Sequence, residues 1–165
     1  VSTHESFPDE PPKSSLSFHP YQPDHHQQLG ALIERTYVGS LDCPALDTAR
    51  DMDDVLECYR HTGVFDAARW LFVRQEGRDV GCLLLADYPE HNQWELVYMG
   101  LAPEVRGRTL GVDVTRYAQW LARRAGRERL VLAVDASNVP ALAMYATCGF
   151  VAWDRRSVYV RLLEP

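Results

Sequence analysis

The sequence has little of what marks a membrane, secreted or metal-binding protein. No apolar run approaches ~18 residues, the length that a membrane helix needs, so no membrane span is predicted. The polar, proline-containing N-terminus carries no apolar stretch of the kind found in signal peptides. The four cysteines lie far apart and show no metal-ligand spacing, so we expect a reducing, cytoplasmic location and no metal site.

A concentrated positive charge is also missing. The chain has 17 basic and 23 acidic residues, a net charge of −6, and neither a basic stripe nor an arginine-rich tail. We therefore expect no nucleic-acid partner. The sequence contains no Gly-x-x-x-x-Gly-Lys-Ser/Thr loop, which argues against a nucleoside triphosphatase.

The length predicts one domain that follows a polar segment. A chain of 165 residues is long enough to bury a hydrophobic core. Residues 1–15 are rich in proline, serine and acidic side chains, and we interpret them as a disordered tail or linker. Residues 16–165 form the predicted domain. Because the chain begins with Val1, either an initiator Met was removed or the sequence is one piece of a longer protein.

One segment predicts a binding site for a phosphate group. An apolar run over 96–101 leads through Pro103 into Arg106-Gly107-Arg108-Thr109-Leu110-Gly111, and an amphipathic stretch follows. This order predicts a strand, a glycine-bearing loop and the first turn of a helix. The unpaired N–H groups of such a turn attract anions, and the two arginines add suitable charge. The alternative is an ordinary strand-to-helix turn with two solvated arginines.

A second segment, over 138–150, completes a known pattern. The spacing Asn-x-x-Ala-x-x-x-Tyr-x-x-x-Gly-Phe is met at Asn138, Ala141, Tyr145, Gly149 and Phe150. The loop at 106–111 stands where the same family has a Gln/Arg-x-x-Gly-x-Gly/Ala motif. Together the two segments resemble the GNAT superfamily of acyl-CoA-dependent N-acyltransferases. The resemblance implies that acetyl-CoA is the co-substrate and that its acetyl group passes to an amine.

The predicted helices and strands follow the order of that family. Periodicity and turn residues predict β-α-α-β-β-β-α-β-α-β-β. The elements cover residues 16–19, 24–37, 51–61, 70–73, 80–85, 95–101, 110–125, 130–134, 139–147, 150–153 and 158–162. The resemblance implies an α/β fold of the α+β mixed-sheet kind, with about seven strands flanked by about four helices.

The resemblance also places the pantetheine arm of acetyl-CoA along Met99, Gly100 and Leu101. Gly100 suits a strand bulge, and the N–H near Leu101 would polarise the thioester carbonyl. The competing interpretation is three apolar strand residues in a core. The cofactor phosphates would lie on the loop residues Arg106, Gly107, Arg108, Thr109, Leu110 and Gly111.

The resemblance assigns the two proton transfers of the reaction to the side chains of Tyr145 and Glu95. Tyr145 matches the general acid that protonates the leaving thiolate, since an ordinary phenol has a pKa of about 10, above that of a thiol. Half-buried packing is the alternative for Tyr145. Glu95 would take the proton of the amine, unless it is a strand residue that faces solvent. Asn138 is a predicted helix N-cap that, like Tyr145, also contacts the cofactor arm.

Thr109 departs from the family pattern, because the motif has a glycine at this position. A β-branched residue resists positive φ. Two outcomes are open: the loop is compromised, or the Thr109 hydroxyl donates to a phosphate oxygen.

The acceptor amine is not identified by the sequence. In this fold the first two helices shape the acceptor pocket, and here that region carries the acidic residues Asp42, Asp47, Asp51, Asp53, Asp54 and Glu57. They either attract a cationic amine or form a solvated helix face, and we favour the solvated face. The predicted function is an N-acetyltransferase for a small-molecule or peptide amine, without a membrane partner, as a homodimer or beside a second GNAT domain. The alternative is a non-catalytic GNAT-fold domain that binds acyl-CoA.

Overall fold

One mixed β-sheet organises the chain, seen in a computed structural model that describes residues 1–44 and 51–159. Six strands lie side by side in the order β1-β6-β5-β4-β3-β2. The strands are β1 (Ser2–Thr3), β2 (Leu16–Pro20), β3 (Trp70–Gln75), β4 (Arg78–Tyr88), β5 (Gln93–Leu101) and β6 (Arg129–Leu132). The α-helices are α1 (His26–Tyr37), α2 (Met52–Arg60), α3 (Leu110–Arg124) and α4 (Val139–Thr147). The elements predicted between residues 16 and 147 are confirmed, with small shifts at their ends.

Turn residues and connections explain how the strands pair. The predicted hairpin is confirmed, because β3 and β4 are antiparallel and joined at Glu76 and Gly77, whose φ values are 50° and 77°. Two consecutive residues with positive φ form the turn whose twist matches that of the paired strands. β5 and β6 are parallel, and α3 provides the crossover that a parallel pair requires.

The sheet separates two hydrophobic cores. Side chains alternate along β4, so Leu83 and Leu85 face one core while Cys82 and Leu84 face the other. α3 and α4 cover the first core, and α1 and α2 cover the second. Within the described ranges, no helix has the length and apolar character needed to cross a membrane, and no group of three or more His, Cys, Asp or Glu side chains is placed to hold a metal ion.

A buried carboxylate joins the end of β4 to the start of β6. Asp87 is only 7% exposed and accepts two hydrogen bonds of 2.8 Å from the guanidinium of Arg127. A second guanidinium, that of Arg69, lies 3.4 Å from the same carboxylate and packs over the ring of Trp94. The hydrogen bonds from Arg127 hold the pKa of Asp87 below its ordinary value.

The prediction that residues 1–15 form a disordered tail or linker is wrong for residues 2–7. Ser2 and Thr3 form β1, which pairs antiparallel with β6. Phe7 is 4% exposed and belongs to the core that α3 covers. The polar composition of the segment does not indicate that Phe7 is buried or that β1 pairs with β6, a strand more than a hundred positions away. Beyond Phe7, Asp9 forms an ion pair of 2.5 Å with Arg123.

The predicted pair of C-terminal strands is not formed within the described residues. Residues 151–159 are irregular, and Trp153 is 65% exposed. β1 occupies the outer edge of β6, and Val151 exchanges hydrogen bonds with Val1 beside it. The second predicted strand, 158–162, lies partly outside the described residues. The sheet therefore has six described strands where about seven are expected from the resemblance.

Candidate active site

A cleft opens where β5 and β6 diverge. Their last paired residues are Leu96 and Leu132, whereas β5 continues to Leu101. The cleft is a cavity of about 300 Å³ whose walls come from β5, the chain after β6, the start of α4 and the loop after α1. The side facing β6 is therefore open over the last residues of β5.

The backbone of β5 presents unpaired groups to this cleft. Ala102 N–H donates to Val80 O at 2.8 Å, so it points towards β4. Successive N–H groups of a strand alternate in direction, and the N–H groups of Met99 and Leu101 consequently point towards the cleft. An extended ligand placed there can pair with this edge as a further strand would. The geometry brings the three predicted residues Met99, Gly100 and Leu101 together along the cavity.

The bulge lies three residues before its predicted position. Leu84 pairs with Tyr98 and Leu85 pairs with Leu96, so Val97 is the extra residue of β5. Gly100 pairs regularly with Cys82, and the prediction of a bulge at Gly100 is wrong. A side chain at Gly100 would collide with the hydroxyl groups of Thr36 and Tyr98, the latter 2.7 Å from an added Cβ. Close approach of α1, not irregular backbone, explains this glycine.

The predicted phosphate loop has the shape of an anion site. Gly107 and Thr109 adopt φ values of 74° and 62°, and α3 begins directly after them. Among the described residues, no acceptor takes a hydrogen bond from the N–H groups of Gly107, Arg108, Thr109, Leu110 and Gly111. Alternating left-handed residues followed by a helix N-terminus direct several N–H groups to one point, where an anion is favoured. Arg108 is exposed beside them.

Thr109 holds a conformation that suits glycine. Its φ of 62° lies in the left-handed region, which costs an L-residue about 1–2 kcal/mol. Its hydroxyl donates to the carbonyl of Arg108 at 2.5 Å. The backbone has thus taken the geometry that the family glycine would take, while the hydroxyl is directed at the loop's own backbone.

Arg106 holds two parts of the backbone together. Its guanidinium donates to Leu101 O at 2.9 Å, to Val38 O at 2.8 Å and to Thr36 O at 2.6 Å. These carbonyls belong to the end of β5 and to the C-terminal end of α1 with its following loop. Arg106 therefore has a structural role, and its predicted contact with a phosphate stays a prediction.

We expect Arg106→Gln to lower the free energy of unfolding by about 1.5–3 kcal/mol, the range for losing a hydrogen bond to a charged donor. The matched control is Arg108→Gln, because Arg108 is exposed. The control should stay within about 0.5 kcal/mol of the wild type. Urea unfolding of the three proteins measures both effects. Equal stability of the two variants would contradict the structural role of Arg106.

Tyr145 reaches the cavity from α4. Asn138 begins this helix, and its side-chain oxygen accepts the N–H of Ala141 at 3.3 Å, which confirms the predicted N-cap. Tyr145 is 9% exposed and packs against Phe150, with ring centroids 5.4 Å apart. Burial, with a contribution from the carboxylate of Asp42, raises its pKa above the ordinary phenol value. The Tyr145 phenol is therefore protonated at neutral pH and able to donate a proton.

Glu95 is not brought to the cavity with the other predicted residues. The side chains of Trp94 and Leu96 face the core under α3, so Glu95 between them projects to the opposite face of the sheet. The lining of the cavity begins one residue later, at Leu96. Burial and the nearby Glu95 carboxylate raise the pKa of the Tyr88 phenol.

The sequence names Asp42 within an acidic run but does not separate it from the other members of that run. Asp42 lies on the loop after α1 and lines the cavity together with Tyr98 and Tyr145. Asp42 is exposed, as are the acidic residues of α2, but the latter do not line the cavity and fit the predicted solvated face. Asp47 lies outside the described residues. The signal in the sequence was the acidic cluster as a whole, which could attract a cationic amine.

Comparison with known proteins agrees with this architecture. A model of the Acetyltransferase (GNAT) family matches residues 5–150. The mycothiol acetyltransferase of Pseudarthrobacter chlorophenolicus is 32% identical over 100 residues, which cover 58% of this chain and 31% of that protein. The mycothiol acetyltransferase of Streptomyces coelicolor is 26% identical over 135 residues, covering 82% and 38%. The chain spans about a third of the length of these curated relatives.

Solved structures share the fold at low sequence identity. A GNAT family acetyltransferase from Elizabethkingia anophelis with acetyl-CoA bound has a TM-score of 0.64 and 17% identity, covering 86% of this chain and 80% of that chain. Spermidine N-acetyltransferase from Vibrio cholerae, in complex with CoA and spermine, has a TM-score of 0.63 and 19% identity, covering 86% and 84%. At these identities the likeness shows the fold alone.

Proposed function

Because the chain belongs to the GNAT acetyltransferase family, we propose that it transfers an acetyl group from acetyl-CoA directly to a primary amine. One observation carries the proposal: the open edge of β5 and the hydroxyl-bearing Tyr145 line one cleft, and the 107–111 loop follows directly after Arg106, which lines it as well. Each has a separate task in acyl transfer from a thioester, namely to align the donor, to bind its phosphates and to protonate its leaving thiolate.

The backbone supplies alignment and charge stabilisation. The N–H groups of Met99 and Leu101 pair with the amide groups of the extended pantetheine arm, as those of a neighbouring strand would. From this edge the Leu101 N–H polarises the thioester carbonyl and stabilises the negative charge that develops on its oxygen. Gly107, Arg108, Thr109, Leu110 and Gly111 present the N–H groups that hold the pyrophosphate.

Tyr145 supplies the proton for the leaving group. Its raised pKa keeps the phenol protonated until the thiolate forms, and a thiolate is a weaker base than this phenolate. The proton then passes from the Tyr145 oxygen to sulfur as the carbon–sulfur bond breaks. The role of Glu95 as the base that takes the proton of the amine stays a prediction. Because Glu95 does not line the cavity, it would act through water.

A thiol-release assay tests the proposed activity. Purified protein is incubated with acetyl-CoA and a panel of amines, and the free CoA thiol and the acetylated product are both measured. The panel includes the unacetylated precursor of mycothiol, because relatives are named mycothiol acetyltransferases, and also spermine, which is bound in a structural neighbour. Amine-dependent thiol release with a matching acetylated product is expected. Its absence across the panel would contradict the proposal.

A non-catalytic acyl-CoA-binding domain is the second candidate. Thr109 favours it, because the strained residue sits in the loop that binds phosphates. Calorimetry separates the two functions: a binding domain takes up acetyl-CoA but releases no thiol with any amine. The retention of Tyr145 in the cleft favours the enzyme.

The wider assembly follows from the same proposal. We propose that this chain forms one catalytic domain, which includes β1 and extends through residue 165. The domain acts on a small-molecule or peptide amine in the cytoplasm. It works as a homodimer or beside a second GNAT domain. The length of the curated relatives, about three times the matched part, supports a second domain.

We expect Thr109→Gly to raise the free energy of unfolding by about 0.5–1 kcal/mol and not to weaken acetyl-CoA binding. The substitution relieves about 1–2 kcal/mol of left-handed strain, against about 0.5–1 kcal/mol of added chain entropy. Thr109→Val is the control, since it keeps the branched shape and loses the hydroxyl. Calorimetric dissociation constants that worsen equally in both variants would show that the hydroxyl binds a phosphate.

A further inference from the structure

The described part of the loop that follows α1, residues 38–44, is held by hydrogen bonds at two points. Arg106 holds its beginning through the carbonyls of Thr36 and Val38. Further along, Asp135 N–H donates to the Asp42 carboxylate at 2.9 Å, and Cys43 N–H donates to the Asp135 carboxylate at 3.2 Å. The position of Asp42 is thus set by hydrogen bonds to a segment almost a hundred residues away.

The exposed Asp42 lies at the rim of a cavity that also holds two phenols. All three residues line the same cavity, with Tyr98 on β5 and Tyr145 on α4. Burial raises the pKa of both phenols, and the negative charge of Asp42 adds to the effect on each. Asp42 therefore shares one cavity wall with tyrosines that come from two different elements, β5 and α4.

No cation in the described part of the chain neutralises Asp42. Arg106 lines the same cavity, but its guanidinium is directed to three carbonyl groups. The ion pairs of the described residues do not include Asp42. A negative charge at a cavity wall without a cationic partner favours a positively charged ligand group.

Aromatic rings next to the cavity add a second feature that favours a cationic ligand. Tyr98 stacks on Tyr59 with ring centroids 5.6 Å apart, and Tyr37 meets Tyr98 edge-on at 5.8 Å. The Tyr98 hydroxyl is fixed by a 2.6 Å hydrogen bond with Thr36. Aromatic faces attract ammonium groups through their quadrupole and add apolar contact for the remainder of a ligand.

We propose that Asp42 determines acceptor specificity by binding the ammonium form of a primary alkylamine, whose apolar part packs against Tyr98. This inference rests on the proposed acetyl transfer, since it concerns the acceptor half of the same cleft. Asp42 selects amines that are protonated at neutral pH, and it holds the nitrogen beside the acetyl carbon before the proton is lost.

A binding experiment tests the charge recognition without any turnover. The probes are 2-phenylethylamine, an ammonium at pH 7, and 2-phenylethanol, its neutral analogue, each titrated by calorimetry into the protein saturated with CoA. The wild type is expected to bind the amine about tenfold or more tightly than the alcohol, and Asp42→Asn should remove this preference. Asparagine keeps the oxygen that accepts Asp135 N–H, so the loop should stay in place.

Asp54→Asn is the matched control, because Asp54 is an exposed carboxylate on α2, outside the cavity. It should leave both affinities unchanged. Equal affinity of the wild type for the two probes would overturn the proposal, and so would an amine preference that survives in Asp42→Asn. CoA affinity, measured in each variant, should be the same as in the wild type.

A turnover experiment separates this proposal from the proposed activity. With 2-phenylethylamine as acceptor, Asp42→Asn should raise the KM for the amine about tenfold or more, with a small change in kcat. With aniline, which is neutral at pH 7, the same variant should show an unchanged KM. Amine-selective binding without thiol release would contradict the acetyl transfer but leave the role of Asp42 standing.

Discussion

Tyr145→Phe should lower kcat by about 10²–10⁴-fold and leave the dissociation constant of acetyl-CoA nearly unchanged. The variant loses only the hydroxyl, and with it the proton that the departing thiolate needs. The ring remains, so its packing against Phe150 is kept and the fold should be retained. Steady-state thiol release with an accepted amine, together with calorimetry of acetyl-CoA binding, measures the two quantities separately.

Tyr117→Phe is the control for this experiment. Tyr117 stacks on Phe18 on the side of the sheet that α3 covers, and Tyr117 does not line the cavity. Deleting its hydroxyl should change neither quantity. If Tyr145→Phe keeps the activity of the wild type, Tyr145 serves only packing and another group protonates the thiolate.

Asp87→Asn should destabilise the fold by about 3 kcal/mol, because removing one member of a buried ion pair leaves the other charge uncompensated. Here two guanidinium groups, those of Arg127 and Arg69, lose their shared partner. Urea unfolding at neutral pH measures the effect. The exposed pair of Asp154 with Arg156 offers the control, since Asp154→Asn should change stability by less than about 1 kcal/mol.

The same carboxylate makes a pH-dependent contribution with a definite sign. The pKa of Asp87 is lowered in the folded protein, chiefly by the hydrogen bonds from Arg127. Its stabilisation is therefore fully present above the pKa of the unfolded carboxyl, about 3.9, and is lost as the pH falls through the folded value. Asp87→Asn should remove this acid-sensitive part. A variant whose acid unfolding curve matches that of the wild type would show that Asp87 contributes little.

The sequence predicts well what depends on neighbouring residues. The hairpin at Glu76 and Gly77, the N-cap at Asn138 and the loop over 107–111 are set by residue types within a few positions of one another. Local backbone preferences and capping act at this range, so the motifs indicate which element forms and where it begins or ends.

The sequence does not predict contacts between distant segments. Arg106 carries the charge that suits a phosphate, but only the fold shows that the carbonyl of Thr36, 70 positions away, receives its hydrogen bond. The same holds for Asp42 with Asp135 and for the pairing of β1 with β6. The bulge at Val97 is also a property of register between two strands, and glycine content alone misplaces it.

Arg106 has a thermodynamic consequence, because it lies directly before the 107–111 loop and its side chain holds the loop that carries Asp42. A shift of the 107–111 loop around a phosphate should therefore move the loop that carries Asp42, because the Arg106 guanidinium joins the two. The two halves of the cleft should therefore show heterotropic cooperativity, in which the nucleotide-bearing donor alters the affinity for the amine. Linkage requires the reciprocal effect to have the same size, so the amine alters donor affinity by an equal factor.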